Sequence, residues 1–266
     1  MKKTLTIACS LFALSLTAQI PTNGLVAYYP FNGNANDASV NGHNGTVNGV
    51  TLTADRFGNA NSAYSFNIGS AIQTMIPASV APAASNMYSF SFWFNRNNST
   101  QVNILLQYKD GTPNGGNVSN YDIFNYHPSC NSGTIAVQNY PFNSPGACSP
   151  GIINIGVWTH IYVVFDQISH SFQVYKDAQY WFSGATGNVS PSTGTLTIGN
   201  NSNRTFSFQG KMDDVGIWNR ALTIQEIQQL YNSNGVFSIP TLSQWGLILF
   251  GGLMLVVVAV NIKSLS

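Results

Sequence analysis

Short runs of alternating apolar and polar residues, broken by Gly, Asn or Pro, constrain this chain more than any other feature. In Ser89-Phe90-Ser91-Phe92-Trp93-Phe94 the alternation places Phe90, Phe92 and Phe94 on one face of a strand, because successive side chains of an extended backbone point to opposite sides. Candidate strands cover 25–31, 63–66, 88–95, 102–108, 121–126, 133–139, 158–166, 171–176, 194–198 and 206–218. A strand with one apolar face must bury it against a second sheet. Many short strands at this spacing suggest one all-β sandwich or jelly roll. No internal repeat and no low-complexity linker divides the body, so a single domain is expected over 19–235.

Helical periodicity surfaces once in that body. Thr223, followed three residues later by Glu226, is a capping box, in which hydroxyl and carboxylate each satisfy a free backbone amide. Ile224, Ile227, Leu230 and Tyr231 make an apolar stripe, which predicts a short helix over 224–232 docked on a sheet. Glu226 is the only glutamate of the chain, and the box assigns it a structural task ahead of a catalytic one.

Both ends of the chain differ from the body. Lys2 and Lys3 precede an apolar stretch from Leu5 to Leu16, closed by Thr17-Ala18, which is the pattern of a signal peptide over 1–18 cut before Gln19. At the other end, 236–266 contains an apolar run bounded by Trp245 and Lys263. From Trp245 to Ile262 the segment is about 27 Å long as a helix, enough to cross a bilayer core, with the indole at one interface and Lys263 on the cytoplasmic side. Ile239-Pro240-Thr241-Leu242 and Trp245-Gly246 resemble the IPTL-type sorting signal of Gram-negative surface proteins. That resemblance implies a sorting protease as a partner. The tail departs from the pattern in ending on one lysine rather than an arginine cluster.

Charged residues are 7% of the chain, against roughly 25% in average soluble proteins, so Asn, Ser, Thr and Gly must solvate the surface. Between 19 and 240, seven Lys and Arg face nine Asp and Glu with no basic stripe, which argues against nucleic acid as a partner. Glycosidases usually need two carboxylates across the scissile bond. Such pairs are often delivered from one strand two or four residues apart, and no Glu-x-Asp or Glu-x-x-x-Glu exists here. A non-catalytic protein is therefore expected. Cys130 and Cys148 remain after signal removal, and in an oxidising compartment they read as a disulfide that closes a loop of about 17 residues, worth about 3 kcal/mol.

Gly24-Leu25-Val26-Ala27-Tyr28-Tyr29-Pro30-Phe31-Asn32-Gly33, then Asn36-Asp37 and Asn41-Gly42-His43-Asn44-Gly45, resemble the opening of a laminin-G-like, concanavalin A-type lectin-glucanase jelly roll. Ala63-Tyr64-Ser65-Phe66, the strand around Trp93, and Trp158-Thr159-His160 fit its middle. The stretch from Gly210-Lys211-Met212-Asp213-Asp214 to Leu222 fits its end. The resemblance implies a two-sheet antiparallel jelly-roll sandwich, frequent calcium binding, and recognition of glycans or proteins. It would bring Asp37 and Asp213 together at a calcium site, with Asp214 as a further member. Alternation with Val215 and Ile217 points Asp213 toward the apolar side of its strand, where a carboxylate needs a partner or a metal. The competing reading makes Asp37 an Asx-turn and Asp213 an acceptor of backbone amides.

The segment 110–151, pinned by the cysteines, carries Tyr121, Tyr126, Tyr140 and Phe142 as candidate sugar-stacking residues, with core packing as the plainer alternative. His43, His127, His160 and His170 show no metal or triad spacing, and His160 reads as a packed structural residue. The sequence thus predicts a bacterial envelope protein, exported and held by its C-terminal helix. Its expected ligand is an extracellular glycan, bound with or without calcium. The alternatives are a protein-binding adhesin or structural envelope protein, and an atypical polysaccharide hydrolase or lyase.

Overall fold

A computed structural model describes residues 20–77, 86–97, 101–110, 120–139, 146–186 and 194–233. The signal segment, the C-terminal tail, Tyr140 and Phe142 lie outside these residues. Among the described residues no helix is long and apolar enough to cross a membrane.

Fifteen strands and one helix follow each other along the described chain. They are β1 (Leu25–Tyr29), β2 (Thr46–Asn48), β3 (Thr51–Thr53), β4 (Ala63–Phe66), β5 (Ala71–Ile76), β6 (Met87–Arg96), β7 (Asn103–Asp110) and β8 (Asn120–Tyr126). Then come β9 (Ala136–Asn139), β10 (Ala147–Cys148), β11 (Trp158–Asp166), β12 (Ser171–Lys176), β13 (Gln179–Ala185), β14 (Gly194–Ile198), β15 (Gly210–Trp218) and α1 (Ile224–Asn232). The predicted helix and most predicted strands stand within a few residues of their expected ends. The strands β2, β3, β5, β10 and β13 were not anticipated, since such short or weakly alternating pieces carry little periodic signal.

The first sheet runs β13-β12-β11-β6-β15-β4-β3, with β1 pairing the second half of β15, and the second runs β10-β9-β8-β7-β14-β5-β2. Every ladder between named strands is antiparallel. Phe90, Phe92 and Phe94 do share the inner face, where they meet Phe165, Met212, Val215 and Ile217 from the same sheet and Tyr108, Ile123, Leu196 and Ile198 from the other. The result is a two-sheet antiparallel sandwich.

A second apolar cluster lies on the outer face of the first sheet. There α1 lays Ile227 and Leu230 against Tyr28, Tyr162 and Trp218, and Ile20 joins them. Thr223 and Glu226 form the reciprocal cap, and Arg220 pairs with the Glu226 carboxylate, holding it near a pKa of about 2. The Trp218 indole donates to the Pro21 carbonyl at 2.7 Å. The start and the end of the described chain therefore meet on one side of the sandwich.

Asp213 corrects one expectation. Val215 and Ile217 point into the inter-sheet core, but Asp213 does not join them. The register between β15 and β6 shifts between Asp213 and Gly216, and Asp214 has φ +50°, so a bulge inverts the alternation. Asp213 pairs with Trp93 and lies on the helix-covered outer face instead.

Candidate functional site

Among the described residues, no helix covers the outer face of the second sheet. Because Ile72, Leu196, Leu106 and Ile123 are turned inward, their neighbours Gln73, Thr197, Gln107 and Asp122 are turned out. The registers align these into one row: Thr46 opposite Gln73, Gln73 opposite Thr197, Thr197 opposite Gln107, Gln107 opposite Asp122, and Asp122 opposite Gln138. Six adjacent strands thus contribute one polar side chain each to a line perpendicular to their axes.

Hydrogen bonds join the row and order it. Gln107 Nε2 donates to Asp122 Oδ1 at 2.7 Å, and Gln107 Oε1 accepts from the Ser202 amide at 2.7 Å. Gln73 Nε2 donates to Thr197 Oγ1 at 3.4 Å and to the Ser202 carbonyl at 3.2 Å. The loop at Ser202 therefore bridges over the middle of the row and buries Thr197 and Gln107. Gln73, Asp122 and Gln138 on either side stay half-buried. Burial raises the Asp122 carboxyl to a pKa of about 6, against the opposing pull of the Gln107 hydrogen bond and the Lys109 charge.

On the β2 side the row opens into a groove of about 660 Å³. Its walls include His43, Asn44, Asn48, Gln73, Met75 and Thr195, a mixture of amides, hydroxyls and one exposed thioether. On the other side, Phe124, Ile104 and Ala136 form a small apolar patch against Cys130. The predicted Cys130–Cys148 disulfide is formed and ties this patch to β10.

The candidate aromatic residues are partly placed. Tyr126 ends β8 half-buried opposite Asn103, and Tyr121 occupies β8 opposite Tyr108 and Asn139. Sequence reasoning overlooked Asp122, Gln107, Gln73 and Thr197. Each alternates unremarkably within its own strand, and only the register between strands makes them a row.

The three candidate metal ligands stand elsewhere, on the first sheet's side. Asp37 Oδ1 accepts from the Tyr28 and Ser39 amides, and Oδ2 accepts from the Ser39 hydroxyl and the His43 amide. It organises its own loop. Asp213 and Asp214 gather around Arg56, whose Nη1 lies 3.0 Å from Asp213 Oδ2 and 2.7 Å from Asp214 Oδ2. The Tyr28 hydroxyl donates to Asp214 Oδ1 at 2.6 Å. Asp37 and Asp214 thus engage opposite ends of Tyr28, one its backbone amide and the other its hydroxyl. Burial raises the pKa of both Asp213 and Asp214, and Arg56 pulls each back down. Nη2 of Arg56 donates to the Ser233 carbonyl, and the guanidinium lies 4.5 Å from the ring centroids of Phe57 and Trp93.

His160 completes this cluster, 5.3 Å from Trp93 between ring centroids and with Nε2 2.8 Å from Ser91 Oγ. Burial first, and the Arg56 charge second, depress its pKa to about 3, so it is a neutral packed residue. Among the described residues, no group of three or more His, Cys, Asp or Glu is placed to hold a metal ion. Calcium fits the predicted trio poorly. Arg56 occupies the position between two of the carboxylates, and four hydrogen bonds already engage the third.

Known proteins bear on the fold and on the tail. Domain 4 of AbnA, an extracellular GH43 arabinanase from Geobacillus stearothermophilus, is similar with a TM-score of 0.60 and 22% identity, over 78% of this chain and 98% of that one. The binding domain of Paraclostridial Mosquitocidal Protein 1 is similar with a TM-score of 0.57 and 17% identity, over 79% of this chain and 52% of that one. Trypanosoma rangeli sialidase in complex with sialic acid is similar with a TM-score of 0.59 and 16% identity, over 82% of this chain but 34% of the sialidase. At these identities the likeness is one of fold. No curated protein matches the chain. An IPTL-CTERM motif is matched at residues 237–259, beyond the last described residue. A second family model covers residues 67–228, more than half of the chain, and by that match the chain belongs to the concanavalin A-like lectin/glucanases superfamily.

Proposed function

We propose that this protein is a non-catalytic recognition module of the bacterial cell surface that binds glycans on the outer face of its second sheet. The observation that carries this reading is the row Thr46–Gln73–Thr197–Gln107–Asp122–Gln138 with its adjoining groove. Sugar hydroxyls are both donors and acceptors, and the accessible members of the row, Thr46, Gln73, Asp122 and Gln138, offer both, while Thr197 and Gln107 lie buried beneath the Ser202 loop and hold their neighbours in register. Cross-strand bonds and the Ser202 loop hold the side chains in place, which lowers the ordering cost of binding. Domain 4 of AbnA, whose complex contains arabinotriose, supports a sugar as the ligand class. The IPTL-CTERM match supports export to the surface, with the tail as membrane anchor until any sorting step.

The non-catalytic part of the reading rests on the carboxylates. Glu226 is engaged by Arg220 and the helix cap, and Asp213 and Asp214 by Arg56. Protein adhesion is the second reading, favoured by the exposed Ile152, Ile155 and Val157 beside β11.

A glycan array probed with the full-length protein in detergent tests the first reading. A defined sugar hit that falls at least tenfold in Gln73→Ala and in Asp122→Asn is expected. A hit untouched by either variant would move the site off this face, and a blank array with the folded protein would bring adhesion forward.

A further inference from the structure

Asp213 and Asp214 carry two carboxylates beneath α1, with side chains only 3% and 6% exposed, and the Arg56 side chain between them is 6% exposed. We propose that the Arg56 guanidinium is the resident cation of this site, so that the protein folds without calcium, and that removing it converts the site into one for a divalent cation. Asp213 Oδ2, Asp214 Oδ2 and the Ser233 carbonyl oxygen all converge on this one group. They are hard oxygen ligands of the kind calcium takes, but calcium takes six to eight of them.

The remaining walls decide which cation the site prefers. Phe57 and Trp93 present ring faces 4.5 Å from the guanidinium carbon. A planar, weakly hydrated guanidinium gains from such faces, whereas a strongly hydrated divalent ion gains no oxygen from them. Asp214 also lies at a bulge in left-handed backbone, φ +50°, a conformation that persists only where surrounding bonds over-determine it. The Tyr28 hydroxyl and Arg56 Nη1 supply those bonds. Arg56 thus ties the β4-side loop, β15 and the last carbonyl of the helix cap into one unit, as a bound metal does in other small domains.

Removal of the guanidinium would leave Asp213 and Asp214 as an acidic pocket, with Asp55 near enough to act on both electrostatically. The test uses the full-length protein in detergent, with calcium and terbium as probes. The wild-type melting temperature is expected to agree within about 1 °C in calcium and in chelator, because an ion that binds only the folded state raises it with concentration. Terbium excited through Trp93 should stay dark in the wild type. It should emit several-fold more in Arg56→Ala, in a signal that calcium competes away and that Asp213→Asn removes.

A calcium-dependent rise in wild-type melting temperature that Asp213→Asn abolishes would overturn the proposal. An Arg56→Ala protein that folds but takes up neither ion would overturn its second half, as would one that stays unfolded with and without calcium. One that folds only in calcium would support it. Arg56→Lys, which keeps a cation in place, should fold and remain indifferent to calcium.

Discussion

His160 sits under α1 with Trp93 and Tyr231 at ring-centroid distances of 5.3 and 6.0 Å, and Arg56 adds a positive charge nearby. Its pKa falls from 6.5 to about 3, so below pH 6.5 the unfolded chain takes up a proton that the folded chain refuses. Stability must therefore fall as pH drops from 6.5 toward 3. Asp122 acts in the opposite sense. Its carboxyl is raised from 3.8 to about 6, so the folded state binds the extra proton between those values and gains stability on acidification. Thermal melts from pH 7 to pH 4 should show a flatter acid loss in His160→Gln and a steeper one in Asp122→Asn. Parallel profiles for all three proteins would refute both assignments. His160 was legible as a packed residue from its strand, but Asp122 was not, because one aspartate in an alternating strand looks like any solvated residue.

At the scale of elements, the Cys130–Cys148 disulfide spans a sequence separation of 18 and fastens the β8–β9 connection to the short strand β10. Strand β10 has two residues and pairs only with β9 among the described strands, so it has little of its own to hold it. Replacing both cysteines by serine should cost about 3 kcal/mol for a loop of this length. In a domain of this size that lowers the melting temperature by about 6–12 °C. A calorimetric loss below a degree or two would mean that packing against β13, where the Ala147 methyl and the Phe172 ring leave no room for a side chain at Gly184, already secures this edge. Helix α1 and its capping box could be read in full from residues 223–232, because a cap is a local hydrogen-bond pattern. The bulge in β15 could not, because it depends on which strand lies alongside.

At the scale of the whole molecule, Ile20 and the end of α1 share one apolar cluster on the outer face of the first sheet. The polar row lies on the outer face of the second sheet. If the proposed anchoring by the tail holds, the proposed recognition face lies across the thickness of the sandwich from Ser233, the last described residue before that tail. Met75→Cys, exposed in the groove, should react rapidly with a bulky maleimide on membrane-embedded protein. Tyr231→Cys, stacked on Trp93 at the end of α1, should react at least several-fold more slowly. Equal rates at both positions would contradict this orientation.

Local information in the sequence was enough for the strands with strong alternation, the single capped helix, the disulfide and the two-sheet class, because each follows from periodicity or chemistry within a few residues. It also singled out Asp37, Asp213 and Asp214, but not their partners, and it passed over Asp122. Whether Asp213 meets an ion or a side chain depends on Arg56, 157 positions away, arriving from another loop. Whether Gln73, Thr197, Gln107 and Asp122 form a surface depends on the registers of four strands drawn from positions 73 to 197. Alternation tells each side chain which face to take. Only the packed sheets decide which other side chains stand beside it.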